Sequence, residues 1–384
     1  MDTLPASFLQ HLALQTQLLA NLQWLCEFQV LACIPLDGEV AFDEVADISN
    51  VPVDQLQRVV RLLVTAGFLC ERTSGYIAHT PLSASFVRGP ELQDAALFLG
   101  QVAVPAALKM PRSLHESPLA TESQTGNIIA GFGESFDGTQ PKLKRQFAAY
   151  LAHGILDEPS AIDDVLRLAD WVTIGAATVV DVHPPSTSTA AMLAALAPAV
   201  QFVVQTSSPS KGHSGLISES NEGSAGASWM TYHLPPSISN RVLVQSRAIG
   251  ASQTVVGAAV YILRVLSPSP ILPWAMLRSQ TLKELQVHLQ VLRTQPSSRL
   301  IVTSLVLPPP ATIDSGTEAA IRLRDIALFQ LSNERQPSKE DIIELITSTR
   351  DPGGVLVVSR ELQTHNSAAI GFEVHYGPAN DRGR

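Results

Sequence analysis

The chain has 384 residues, of which 45% are hydrophobic and 16% charged, which excludes an intrinsically disordered protein and allows two or more domains. A net charge of −9 argues against a protein whose main activity is to grip nucleic-acid phosphates, since that requires clustered Lys and Arg. No apolar run reaches the roughly 20 residues that span a bilayer, and the three cysteines lack metal-ligand spacing, so we expect neither membrane nor metal binding.

The first part of the chain, residues 1–105, predicts a winged-helix domain. Its predicted elements are helices over 8–33, 42–48 and 54–66 and a hairpin with strands at 68–69 and 76–78. The first helix has apolar residues on more than one face, which indicates burial in its own domain or in a homodimer. We expect Asp54 to cap the third helix and Gly67 to end it.

Winged helices often bind DNA through their second helix. Here that helix offers Arg58 and Arg61, while six acidic residues lie between Asp37 and Asp54. Such a surface repels DNA phosphates. We therefore predict a dimerisation and packing domain with no direct nucleic-acid binding.

Residues 106–160 predict connecting helices and a mobile linker, and residues 161–384 predict an α/β domain. The predicted strands cover 179–182, 201–204, 258–263, 300–305, 355–359 and 369–375, and the predicted helices 189–196, 274–293, 318–331 and 339–347. An insertion at 207–228, rich in Ser, Gly, Glu and Asn, is expected to be disordered.

Four segments carry a family resemblance: AHTPLS (78–83), VVDV (179–182), AVYILRVL (259–266) and SNERQPSKEDIIELI (332–346). They resemble the S-adenosylmethionine-dependent O-methyltransferases of secondary metabolism, over about residues 8–376. The resemblance implies a Rossmann-like class I methyltransferase domain after the winged helix. It also implies three site features, namely a glycine-rich cofactor loop, an acidic residue for the ribose and a catalytic histidine.

The cofactor loop departs from that pattern. His183, Pro184 and Pro185 follow the first strand where the family has glycines, and the prolines offer no N–H donors. Asp181 is retained at the strand end, where it either caps the turn or contacts a ligand. His183 is either a general acid in a repurposed pocket or a solvated loop histidine.

The other two features are also missing. Gln205 occupies the position of the ribose-binding acid, and Ser267 that of the catalytic base, a role serine cannot fill at neutral pH. Glu334, whose family counterpart supports the histidine, is then expected to be a helix N-terminal charge or an ion-pair partner. The motif is degenerate, and we predict no catalytic residue and no cofactor.

Two longer segments indicate one subgroup of the proteins with this fold: WLCEFQVLACIPLDGEVAFDEVADI (24–48) and VLVVSRELQTHNSAAIGFEVHY (355–376). They are similar to the transcriptional co-activators of fungal polyketide clusters, of the aflatoxin-cluster type. That likeness implies a zinc-cluster activator as partner and a nuclear location. The candidate contact residues are acidic: Asp37, Glu39, Asp43, Glu44 and Asp47. The alternative for these five is an ordinary solvated face.

A second interpretation is an enzyme that kept the substrate pocket but abandoned methyl transfer. Such a cyclase- or pericyclase-like protein needs a shaped apolar pocket and one or two hydrogen-bond donors. A third interpretation, an active O-methyltransferase, requires the three features that the chain lacks.

Overall fold

The computed structural model describes residues 4–116, 141–155, 159–207, 238–269 and 272–378. The chain divides into two compact units, Met1–Asp157 and Glu158–Arg384. Most of the linker expected within 106–160, and the insertion expected at 207–228 apart from its first residue, lie outside the described residues. Among those described, no helix is both long and apolar enough to cross a membrane.

The first unit begins with helices around a small antiparallel sheet. Its elements are α1 (Pro5–Glu27), a 3₁₀ turn (Val30–Cys33), β1 (Val40–Ala41), α2 (Phe42–Ser49), α3 (Val53–Thr65), β2 (Leu69–Cys70) and β3 (Tyr76–His79). The strands lie in the order β1-β3-β2, with β3 paired to both neighbours. Leu31, Phe42, Leu56 and Ile77 are buried together in the core of this unit.

The boundaries of α3 correct one expectation and confirm another. The residue that precedes the helix is Pro52, and no side chain caps the first turn, so the predicted cap at Asp54 is wrong. Asp54 instead lies in the first turn, where its charge favours the positive end of the helix dipole. The helix ends before Gly67, whose φ of +72° suits a glycine, as predicted.

Helix α1 is buried only near its C-terminal end. Leu25 and Cys26 are the buried residues of the helix, whereas Phe8, Leu9 and Leu12 are exposed. The apolar N-terminal half of α1 is therefore not covered by the described residues of its own unit.

The described part of the first unit contains four further helices. They are α4 (Pro81–Arg88), α5 (Pro90–Phe98), α6 (Val104–Glu116), which a π-helical turn (Leu99–Ala103) joins to α5, and α7 (Pro141–His153). Thr80 begins α4 with a capping box in which its side chain accepts the backbone N–H of Ser83. Helices α5 and α7 pack through aromatic rings. The ring centroids of Phe147 and Tyr150 on α7 lie 5.3 Å and 5.0 Å from that of Phe98 on α5.

The second unit is a mixed sheet with helices on both faces. Its strands are β4 (Thr178–Val182), β5 (Gln201–Thr206), β6 (Val242–Ser246), β7 (Val260–Val265), β8 (Arg299–Leu305), β9 (Arg350–Asp351), β10 (Gly354–Gln363) and β11 (Ala369–Pro378). Over the described residues these strands form one sheet in the order β6-β5-β4-β7-β8-β11-β10-β9. The first five are parallel, and β11, β10 and β9 are antiparallel to their neighbours.

The helices of the second unit are α8 (Pro159–Arg167), α9 (Ser188–Leu196), α10 (Trp274–Thr294), α11 (Ser315–Ser332) and α12 (Lys339–Thr347). Two apolar clusters cover the sheet faces, one including Leu285 of α10 and Ile342 of α12, the other Val165 of α8 and Leu193 of α9. Strands buried on both faces explain why the sequence around VVDV and VYILRV is almost continuously apolar.

Candidate functional site

The parallel strands bring their carboxyl ends to one edge of the sheet, where α/β folds bind ligands. His183 directly follows β4, Gln205 is the penultimate residue of β5, and Arg247 directly follows β6. Because β4, β5 and β6 are neighbours in register, these three residues from distant parts of the sequence meet at one place.

The turn after β4 is held by His183, which adopts a φ of +50°. Its backbone N–H donates to the carbonyl of Gln205 at 2.8 Å, and the imidazole Nε2 lies 3.3 Å from the Glu284 carboxylate. The half-buried ring of His183 is thus held against a carboxylate, so the expectation of a solvated loop histidine is wrong. Pro184 is buried and Pro185 exposed, and neither provides an N–H donor.

Glu284, on α10, is the centre of the polar contacts at this edge and is only 2% exposed. Its carboxylate accepts hydrogen bonds from Arg247 Nη2 at 2.5 Å and from the backbone N–H of Gly250 at 2.6 Å. Burial acts to raise the pKa of Glu284, but the hydrogen bonds from His183, Arg247 and Gly250 and the charge of Arg247 bring it down to about 2. Glu284 is therefore ionised at neutral pH.

Arg247 joins this carboxylate to a buried pair of amides. Its Nε donates to Gln205 Oε1 at 2.8 Å and its Nη1 to the carbonyl of Ala251 at 2.6 Å. Gln205 and Gln253 exchange hydrogen bonds through their side-chain amides, and both are buried. The guanidinium and the two amides are thus bonded to one another, to Glu284 and to the Ala251 carbonyl.

His288 closes the network one helical turn after Glu284. Its Nδ1 lies 2.7 Å from the Glu284 carbonyl, and its Nε2 lies 3.3 Å from Gln253 Nε2. A ring that donates through Nδ1 and accepts through Nε2 satisfies both contacts and is neutral. Burial lowers the pKa of His288 to about 4, which agrees with that assignment.

Asp181 neither caps the turn nor is free for a ligand. It forms an ion pair with Arg264 of β7, with the Arg264 Nη1 2.6 Å from Asp181 Oδ1, and the residue is 1% exposed. Burial raises the pKa of Asp181, and the Arg264 guanidinium opposes that rise. This ion pair contradicts both roles predicted for Asp181 from the sequence, a cap of the turn and a ligand contact.

The position expected for a catalytic base is held by the half-buried Ser267, whose Oγ accepts a 3.3 Å hydrogen bond from Gln336 Nε2. Glu334 accepts the backbone N–H of Trp274, the first residue of α10, at 3.0 Å. It is thus a charge at a helix N-terminus, one of the two roles predicted for it.

These residues do not fit S-adenosylmethionine. Polar atoms that could recognise its carboxylate, ribose or base are bonded to each other around Glu284, and the prolines supply no donor. The exception is His183 Nδ1, which is buried without a partner among the described residues. Neither of the two grooves described below includes this edge, and the described residues contain no group of side chains that could hold a metal ion.

The five acidic candidates lie in the first unit, on and before α2. Asp37, Glu39, Asp43, Glu44 and Asp47 are all exposed. Glu39 and Glu44 edge a groove of about 530 Å³ that is also lined by residues 32–35, Val40, Ala41 and Tyr76. A second groove, of about 590 Å³, follows the outer side of α10 around Arg278 and Lys283.

Sequence reasoning missed Arg247, Gln253, Glu284 and His288. One signal was available, because Glu284 and His288 are four residues apart in a helix whose Leu285, Leu289 and Leu292 are buried. A carboxylate and a histidine on such a face need buried partners. Their partners lie 34 to 101 residues away in the chain, so no local pattern could indicate these pairs.

Comparison with solved structures defines the fold class. The mitomycin 7-O-methyltransferase MmcR aligns with 97% of this chain and 98% of its own, with a TM-score of 0.59 and 16% identity. A pericyclic reaction enzyme aligns with 98% of this chain and 90% of its own, with a TM-score of 0.64 and 16% identity. The protein thus has the mixed α/β fold of the S-adenosylmethionine-dependent O-methyltransferases, and fold likeness alone does not choose between these activities.

Comparison of sequences is more specific. No protein-family model matches the chain. The dothistromin biosynthesis regulatory protein aflJ of Dothistroma septosporum is 41% identical over 97% of this chain and 85% of its own length. The aflatoxin cluster transcriptional coactivator aflS of Aspergillus flavus is 36% identical over 99% of this chain and 87% of its own. The chain belongs to this family of polyketide-cluster coactivators, which confirms the resemblance.

Proposed function

We propose that this protein is a non-catalytic transcriptional coactivator that assists a zinc-cluster activator of a fungal polyketide gene cluster. The observation that carries the proposal is the buried network of His183, Gln205, Arg247 and Glu284 at the edge where a methyltransferase fold binds its cofactor. Family membership agrees with it, since relatives at 36–41% identity bear coactivator or regulatory names.

Methyl transfer is opposed by three separate features of the second unit. The turn at His183 has prolines where donors are needed, the end of β5 has an amide, and Ser267 replaces the base. Loss of a general base alone costs about a hundredfold to ten-thousandfold in rate. To bind a cofactor, the chain would also have to release the buried charges of Arg247 and Glu284, which is costly.

The first unit supplies the remaining parts of the proposal. The order of α2, α3 and the β2–β3 hairpin supports a winged-helix dimerisation domain over 1–105, joined by 106–160 to the methyltransferase-like domain at 161–384. The exposed apolar half of α1 supports a homodimer. A nuclear location follows from the proposed activator partner.

The cyclase-like alternative requires an apolar pocket into which donors point. At the carboxyl edge of β4 to β6 the donors of Arg247, Gln205 and Gln253 are turned towards one another. These donors are therefore already engaged and are not available to such chemistry.

Deletion of the gene in its fungal host, followed by transcript and metabolite analysis, tests the proposal. Loss of a coactivator lowers the transcripts of the whole cluster, whereas loss of a pathway enzyme leaves them unchanged and an intermediate accumulates. Reintroduction of the wild-type gene is the control. Normal transcripts together with an accumulated intermediate would reject the coactivator and favour the enzyme.

A further inference from the structure

The first 57 residues contain almost all the excess negative charge of the chain. They include eight acidic residues and no Lys or Arg, whereas the remaining 327 residues have 27 acidic and 26 basic residues. The net charge of −9 is therefore −8 from this segment and −1 from the rest. So strong an asymmetry produces a local negative potential that attracts a cationic partner.

The five acidic candidates of this segment, at 37–47, have no compensating charge among the described residues. Elsewhere in the first unit, Glu71 pairs with Arg61 at 3.0 Å and Asp94 with Arg145 at 2.5 Å. By contrast, the side chains of the five acidic candidates at 37–47 form no ion pair or hydrogen bond within the described ranges. Exposed like charges that remain unpaired are available to a partner.

These charges edge a groove that can also receive an apolar side chain. Ile34 and Val40 are buried beneath it, Tyr76 lies beside it with 42% of its surface exposed, and Glu39 and Glu44 lie on its rim. Strand β1 is one of the two edge strands of the small sheet in the described structure, so no described strand covers its outer side. A groove with an apolar floor, an aromatic ring and two carboxylates suits a side chain that has an aliphatic stem and a cationic end, as Lys and Arg have.

We propose that this groove receives an arginine- or lysine-bearing segment of the activator protein, whose cationic groups pair with Glu39 and Glu44. The proposal rests on the proposed function for the existence of an activator partner. Nucleic acid is disfavoured as the occupant because its phosphates meet the same carboxylates.

The test measures binding of the recombinant full-length zinc-cluster activator of the same gene cluster to the full-length wild-type protein and to its E39Q/E44Q variant. Both residues are exposed, so the variant is expected to fold, and circular dichroism checks this. The variant loses two exposed charge pairs with the activator, so its affinity is expected to be about tenfold lower than that of the wild-type protein. The matched control is E91Q/E340Q, which also removes two exposed glutamates that form no ion pair in the described residues.

Alkylation of the cysteines gives an independent measure of position. Cys33 lines the groove, and Cys70 lies on β2, at the opposite edge of the small sheet, and both are partly exposed. Bound activator is expected to slow the reaction of Cys33 with iodoacetamide and to leave that of Cys70 unchanged, as read by mass spectrometry.

The outcomes are distinct. A tenfold loss for E39Q/E44Q, little change for E91Q/E340Q and protection of Cys33 would support the proposal. Unchanged binding of E39Q/E44Q, or weaker binding without Cys33 protection, would overturn the groove while leaving the coactivator function in place. Absence of any binding by the wild-type protein would overturn both.

Discussion

At the scale of single residues, Glu284 decides how the carboxyl edge of the sheet is organised. Its carboxylate holds the turn after β4 through His183 and the segment after β6 through Arg247 and Gly250. Because the carboxylate and the guanidinium are both buried, each is tolerated only while the other is present.

Substitution of Glu284 by Gln is expected to lower the free energy of unfolding by about 3–5 kcal/mol, because it leaves the buried Arg247 charge uncompensated. Urea denaturation at pH 7 measures the change. The control is Glu344→Gln, which removes the acid of an exposed pair with Arg278 and is expected to cost less than about 0.5 kcal/mol. Equal effects of the two substitutions would show that the Glu284 network does not stabilise the fold.

His288 makes stability depend on pH. Its pKa of about 4 in the folded protein lies below its ordinary value of 6.5, so unfolding takes up a proton between these values. Stability is therefore expected to fall as the pH decreases from 6.5 to 4, by about 3 kcal/mol from this residue. Glu284, with a pKa lowered to about 2, adds a further loss as the pH falls below about 4.5.

Urea denaturation of the wild-type protein and of His288→Gln, at several pH values from 7 to 4, isolates the histidine. The variant cannot take up this proton, so the difference in unfolding free energy between the two proteins should shrink by about 3 kcal/mol over that range. Parallel curves would contradict a neutral buried His288.

At the scale of elements, apolar runs and helix caps were sufficient to predict most of the second unit. Helix α12 begins and ends at the predicted residues, and the predicted strands correspond to β4, β5, β7, β8, β10 and β11. Strand β6 was missed, because VLVQS is short and only its first residue is buried. With β6 missed, Arg247 could not be placed beside Gln205, and the network could not be predicted.

The turn between β4 and α9 offers a test of the proposal that this protein does not use the cofactor. Replacement of His183, Pro184 and Pro185 by glycine should restore donors, but Gln205, Arg247 and Glu284 would remain in place. We expect no methyl transfer from labelled S-adenosylmethionine and no calorimetric heat at millimolar concentrations of it. Activity from the triple substitution would show that the substrate site is intact and that the role assigned to Ser267 is mistaken.

Helix α1 offers a test of the proposed homodimer. Phe8 and Leu12 are 56% and 46% exposed, so glutamate at both positions is expected to convert a homodimer into a folded monomer. Analytical ultracentrifugation measures the mass, with Val172→Glu as the control because Val172 is 84% exposed in the other unit. If the double variant remained dimeric, or if the wild-type protein were monomeric, α1 would not be the dimer interface.

At the scale of the whole molecule, the negative charge predicts that this protein does not bind DNA directly. A net charge of −9, most of it in the N-terminal segment, opposes association with DNA. The isolated protein is expected not to retard promoter fragments of its cluster in a gel at physiological salt, whereas the activator alone retards them. A sequence-specific shift by the isolated protein would indicate a direct regulator.

The filled edge of the sheet has a consequence for physiology. In a methyltransferase, the fraction of molecules that hold S-adenosylmethionine at this edge rises with the concentration of the free cofactor. In this protein the side chains of Arg247 and Gln253, which belong to the chain itself, lie at that edge. We therefore expect the activity of this coactivator not to respond to the concentration of S-adenosylmethionine in the cell.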